Sequence, residues 1–137
     1  MSLASQHEFP QIESFYLGCG YSYALSGSDL VLRYMENGEI VGAVRLCFEQ
    51  GYLVLRGMYV LKEKQGMGVG SALLVAAVEE LGDRECWCIP YDHLVRFYGH
   101  AGFVKSTNRS TPRFLQDRLT KYKATGKSVV AMVRNQK

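Results

Sequence analysis

Residues 53–81 read LVLRGMYVLKEKQGMGVGSALLVAAVEEL, and this stretch decides the fold. Residues 53–60 are apolar apart from Arg56 and Gly57, the pattern of a mostly buried strand. Lys62-Glu63-Lys64 is a polar exit from it. Gly66, Gly68 and Gly70 then stand at every second position, followed by Ser71. Leu73, Leu74, Ala77, Val78 and Leu81 recur at the spacing of one helix face, and Gly82 supplies a stop. Strand, glycine-rich turn and helix is the expected order.

The chemistry of such a turn follows from its backbone. A chain entering a helix leaves several N–H groups unpaired, and the helix dipole adds partial positive charge there. Glycines let an anionic phosphate come close to those donors, which makes the turn suited to a pyrophosphate. An ordinary strand-to-helix turn uses the same residues, and glycine spacing alone does not separate the two. A Walker loop is excluded because no lysine follows Gly70. The dinucleotide fingerprint is excluded because the third glycine comes one residue too soon.

Gln65, Gly68 and Gly70 do match Gln/Arg-x-x-Gly-x-Gly/Ala, and Arg96 to Phe103, RFYGHAGF, matches FYxxxGF. In this order and spacing, residues 29–134 resemble the GNAT acyltransferase superfamily. The resemblance implies an α/β domain whose mixed, mainly antiparallel sheet is flanked by helices, with one parallel strand pair splayed around acetyl-CoA. It places the cofactor pyrophosphate on Gln65, Gly66, Met67, Gly68, Val69, Gly70 and Ser71. The backbone of Met58, Tyr59 and Val60 would bond the pantetheine arm in the manner of an added strand. Gly57, a glycine inside a strand, marks the bulge that opens the slot. The N–H of Tyr59 or Val60 would polarise the thioester carbonyl, and Tyr98 would protonate the departing thiolate. Periodicity gives Tyr98 a second reading, as a core residue in the stripe Leu94, Phe97, Tyr98 and Ala101. One departure is that Tyr91 and Leu94 stand where many members carry Asn-x-x-Ala.

The implied activity is transfer of an acetyl group from acetyl-CoA to a primary amine of a small molecule, amino acid or peptide, by direct attack in a ternary complex. No general base is evident, Glu49 being at a hairpin end. A catalytically weak CoA-binding sensor or interaction module is the competing expectation.

Composition sets the wider bounds. The chain has 137 residues, suited to one domain, and its 47% apolar content suffices for a sizeable core. A net charge of +3 without any basic run argues against nucleic acid. No apolar run is long enough to span a membrane, and no signal-peptide core begins the chain, so a cytoplasmic monomer or homodimer is expected. Cys19, Cys47, Cys86 and Cys88 form no CxxC pair, which favours buried free thiols over a metal site or disulfides. No metal is expected.

Residues 1–9 are polar and expected to be loose. Ile12, Phe15 and Tyr16 suit a short helix ended at Gly18 or Gly20. A strand from Asp29 to Glu36, the turn Asn37-Gly38, and a strand from Glu39 to Glu49 follow. If Gln50-Gly51 is a two-residue turn, Arg45 falls opposite Arg56. The pair either receives a substrate carboxylate or is neutralised by nearby acidic residues or water. Further on, Glu85 to Ile89 reads as a strand, Asp92 as a helix N-cap, and Phe103 to Ser106 as a strand. Thr111-Pro112 opens a helix ended by Gly126, and Ser128 to Arg134 makes the last strand. The inserted helix could cover the acceptor side of the cleft.

Overall fold

Two tight turns set the first half of the chain. Asn37 and Gly38 have φ of +51° and +80°, and Gln50 and Gly51 have +50° and +84°. Paired left-handed residues of this kind match the twist of adjoining antiparallel strands. The structure, a computed structural model, describes residues 2–21 and 24–135. These residues fall into two compact units, one ending at Gly82 and one starting at Asp83.

The first unit runs β1 (Ser2–Leu3), α1 (Phe9–Gly18), β2 (Leu30–Glu36), β3 (Glu39–Glu49), β4 (Tyr52–Val60) and α2 (Val69–Leu81). Its strands pair antiparallel in the order β1-β2-β3-β4. Arg45 stands opposite Arg56, as the turn arithmetic requires. Beyond that pair the register slips. Ala43 faces Tyr59, so Gly57 and Met58 together oppose Val44, with Gly57 at φ +64°. That is the bulge expected at Gly57.

Side-chain alternation gives this sheet two faces. A Cβ on Gly42 would lie 2.8 Å from Val69 Cγ1 and 2.9 Å from Leu73 Cδ1, so α2 packs directly on β3 there. On the opposite face, Ile12 and Tyr16 of α1 join Tyr21, Val31 and Ala43 in one buried cluster.

Residues 2–9, expected to be loose from their polarity, make contacts with β2. Ser2 and Leu3 pair with Arg33 and Leu32, and the Ala4 N–H donates to Val31 O at 2.8 Å. Gln6–Glu8 form a single 3-10 turn, and Glu8 binds Arg33 at 2.6 Å. Gln6 Nε2 donates to Gly27 O at 3.1 Å, so the segment is tied to the turn before β2 as well.

The second unit runs β5 (Cys86–Cys88), α3 (Val95–Gly99), β6 (Val104–Lys105), α4 (Arg113–Ala124) and β7 (Met132–Arg134). β7 lies antiparallel between β5 and β6. The final strand is shorter than expected because its partner runs into Pro90, which has no N–H to donate. Pairing resumes beyond it as a lone bridge between Tyr91 and Val129. Asp92 is also not the N-cap expected. It begins a 3-10 turn, Asp92–Leu94, that leads into α3, and Tyr91 holds the cap position.

Candidate functional site

The turn between β4 and α2 is a run of donors. Gly68 is the N-cap of α2 at φ +86°, and Gly66 lies at φ +78°. Nothing lies within 4 Å of a Cβ built on either glycine. Helical bonding starts with Ala72 N–H donating to Gly68 O at 3.0 Å. Among the described residues, the backbone N–H groups of Gly66 through Ser71 have no hydrogen-bond partner. Gln65 pins the turn to the end of β4 by donating from Nε2 to Val60 O at 3.1 Å. Gly66, Met67, Gly68, Val69, Gly70 and Ser71 therefore form one segment of donors at the positive end of a helix, anchored by Gln65.

β4 presents its backbone to one side. Leu61 N–H donates to Val41 O at 2.9 Å, so alternation along the ladder commits Tyr59 to Ala43 on β3. Met58 and Val60 turn to the opposite edge. Of the two amides expected to polarise a carbonyl, that of Tyr59 is thus engaged within the sheet, which leaves Val60.

The arginines do face each other, but each has a carboxylate. Arg45 is buried and donates from Nη2 to Asp29 Oδ2 at 2.7 Å and from Nη1 to the Tyr21 hydroxyl. Burial opposes its charge, but the hydrogen bond to Asp29 together with the electrostatic pull of Cys47, Tyr21 and Asp29 outweighs it, and its pKa lies above the ordinary value. Arg56 reaches Glu49 at 3.6 Å. Neutralisation by acidic neighbours accounts for the pair without a ligand.

Tyr98 is 5% exposed, with Phe97 and Phe103 edge-on at 5.0 Å and 5.9 Å. Burial, and secondarily the neighbouring Cys88, pushes its pKa above the ordinary value. Its hydroxyl has no hydrogen-bond partner among the described residues and is not a sealed atom, so it keeps some contact with solvent. It can therefore serve as a proton donor, staying protonated at neutral pH.

Sequence reading missed Tyr16, Tyr21 and Asp29, which gather around the bulge. Tyr16 is fully buried and donates to Gly57 O at 2.8 Å across a long sequence separation. Its place in the α1 stripe was visible, but nothing local points to its partner. Among the described residues no group of three or more His, Cys, Asp or Glu side chains could hold a metal.

A family model described as an acetyltransferase (GNAT) domain matches residues 27–105. The chain belongs to the GNAT family. No match is found among curated proteins. Solved structures similar to this GNAT chain include the ribosomal-protein-S18-alanine N-acetyltransferase from Escherichia coli, at TM-score 0.71 and 15% identity, with 99% of this chain and 94% of that one covered. An acyl-CoA N-acyltransferase from Pseudomonas aeruginosa gives 0.63 and 19%, covering 90% and 84%. An aminoglycoside 6'-N-acetyltransferase complexed with coenzyme A gives 0.62 and 14%, covering 97% and 96%. The fold is thus the mixed, mainly antiparallel α/β fold of GNAT acetyltransferases. Among the described residues no helix is long and apolar enough to cross a membrane.

Proposed function

We propose that this GNAT protein is a single-domain N-acetyltransferase that moves an acetyl group from acetyl-CoA to a primary amine of a small molecule, amino acid or peptide. The observation that carries this is the run of unpaired N–H groups from Gly66 through Ser71, with open space over Gly66 and Gly68. A pyrophosphate fits such a cradle because it offers several acceptor oxygens and two negative charges to a helix start. Acetyl-CoA supplies the activated thioester. The chain's part is to bind and to orient. Gln65 holds the turn on β4, and the outward edge at Met58 and Val60 suits the amides of a pantetheine arm. The Val60 N–H is the donor we assign to the thioester oxygen. Tyr98 gives its proton to the leaving thiolate. The amine's own proton leaves through water, and closeness to the carbonyl does the rest. Arg45 and Arg56, paired as they are, are not assigned to the acceptor.

Release of free thiol from acetyl-CoA in the presence of a mixed panel of amines tests the proposal. Turnover with at least one amine is expected, and Tyr98→Phe should lower it by roughly 10²- to 10⁴-fold while acetyl-CoA affinity barely changes. Tight CoA binding without turnover on any amine would instead identify a sensor. A fully active Tyr98→Phe protein would remove the tyrosine from the chemistry.

A further inference from the structure

Residues with no part in the transfer outlined above hold the bulge on β4. A Cβ added to Gly57 would lie 3.1 Å from the Tyr16 hydroxyl, 3.2 Å from Arg45 Cδ and 3.2 Å from Tyr21 Cε2. The bulge is cupped from the α1 face by three side chains, which would crowd any Cβ, and its φ of +64° favours glycine. Tyr16 packs edge-on to Tyr21 at 4.7 Å, and Tyr21 lies 5.1 Å from the ring of Tyr59.

The cup is built from polar groups where apolar ones would serve packing as well. A buried ion pair returns little net stability compared with well-packed hydrophobic residues. Arg45 and Asp29 are nonetheless buried together, with side chains 6% and 4% exposed. Asp29 is itself fixed, because its Oδ2 also accepts the Ser26 N–H at 3.0 Å. What such a pair provides is a fixed shape beside Gly57. Tyr16 provides direction as well, since its hydroxyl donates to the Gly57 carbonyl at 2.8 Å and holds it from the α1 side. The Gly57 carbonyl and the Met58 N–H are opposite ends of one rigid peptide plane. Holding the first aims the second, and Met58 lies on the β4 edge that faces away from β3.

We propose that Tyr16, with Arg45 held by Asp29 and Tyr21, is a positioning set that fixes the Gly57–Met58 peptide and so the direction of the Met58 amide. Its consequence for turnover rests on the acetyltransferase reading; the clamp itself does not.

Tyr16→Phe tests it, because the ring and its packing stay while the hydroxyl goes. The Met58 amide resonance should move and its proton should exchange faster, whereas the amides of Gly66 through Ser71 keep their positions. With an amine that the native protein accepts, kcat should fall roughly tenfold, the size of one lost hydrogen bond, with KM for acetyl-CoA within about twofold. Tyr21→Phe, which removes the acceptor of Arg45 Nη1, should give a smaller change of the same kind and serves if the first variant does not fold. An unmoved Met58 resonance, or kcat and KM changing only in step with a fall in melting temperature, would overturn the proposal. A native protein inactive on every amine would refute the acetyltransferase reading alone, and the Met58 resonance would still decide the clamp.

Discussion

The turn at Gly66–Ser71 and the bulge at Gly57–Met58 sit on one strand–turn–helix segment and are built in opposite ways. The turn is local. Its glycines lie over open space, its donors belong to consecutive residues, and one side chain, Gln65, ties it down. The bulge is assembled at a distance. Tyr16 comes from α1, Tyr21 and Asp29 from the stretch before β2, and Arg45 from β3. The difference predicts how each fails. Damage to the turn should remove a ligand and spare the fold, whereas damage around the bulge should cost stability first.

The sharpest way to break that contrast is Asp29→Asn. Removing one partner of a buried pair leaves the other charge uncompensated, which typically costs about 3–5 kcal/mol. Arg45 has further reason to suffer, because its Nε has no partner among the described residues. Denaturant unfolding should show a loss of that order, and Asp29→Asn combined with Arg45→Met should recover most of it. A loss of under about 1 kcal/mol, the range of an exposed pair, would mean that the cluster is wetter and less rigid than the contrast requires.

The reverse case is Gly68→Asp. At ligand concentrations near one hundred times Kd, acetyl-CoA should stabilise the native protein by about 2.7 kcal/mol. The aspartate puts negative charge into the donor run and should abolish that gain. Its cost without ligand should be about 1–2 kcal/mol, since the position is open and the strain is confined to one left-handed residue. Thermal shifts with and without acetyl-CoA separate the two numbers. A retained ligand shift would show that the phosphate sits elsewhere, and a large loss of apo stability would make the turn structural.

The same contrast explains what could be read in advance. The glycine turn, α2 and both hairpins were legible because their signals are local: paired turn residues, helix-period apolar positions, and glycines where the chain must bend. The Arg45–Arg56 opposition was legible too, since a two-residue turn fixes the register behind it. The pairing of Ser2 and Leu3 was not, because their partners lie on β2. Nor was the role of Tyr16, whose acceptor is a carbonyl on another element, or of Asp29, which reads as an ordinary strand start. Gly42 carries no local signal of its own, and the need for glycine there comes from Val69 and Leu73 of α2. Local chemistry is written in consecutive residues, and shape made by distant ones is not.

The prediction with the smallest effect per pH unit reports how dry the bulge cluster is. Cys47 is buried on β3, two residues from Arg45 and on the same face. Burial pushes its pKa from 9.0 up to about 12, with Arg45 opposing the shift and Asp29 adding to it. The unfolded chain releases this proton near pH 9 and the folded chain does not, so the unfolded state binds fewer protons as pH rises. Stability from this group is therefore fully present below pH 9 and is lost progressively toward about pH 12. One such group contributes at most about 1.4 kcal/mol per pH unit to the slope. Buried Tyr16, Cys88 and Tyr98 shift in the same sense, so the native protein should weaken more steeply than this single share. Cys47→Ala carries its own cavity cost at every pH, so the informative quantity is the slope and not the level. Denaturant unfolding above pH 9 should show the native and Cys47→Ala curves converging. Parallel curves would mean that water reaches the thiol in the folded state, and the clamp around Gly57 would then lose the rigidity that dry packing gives it.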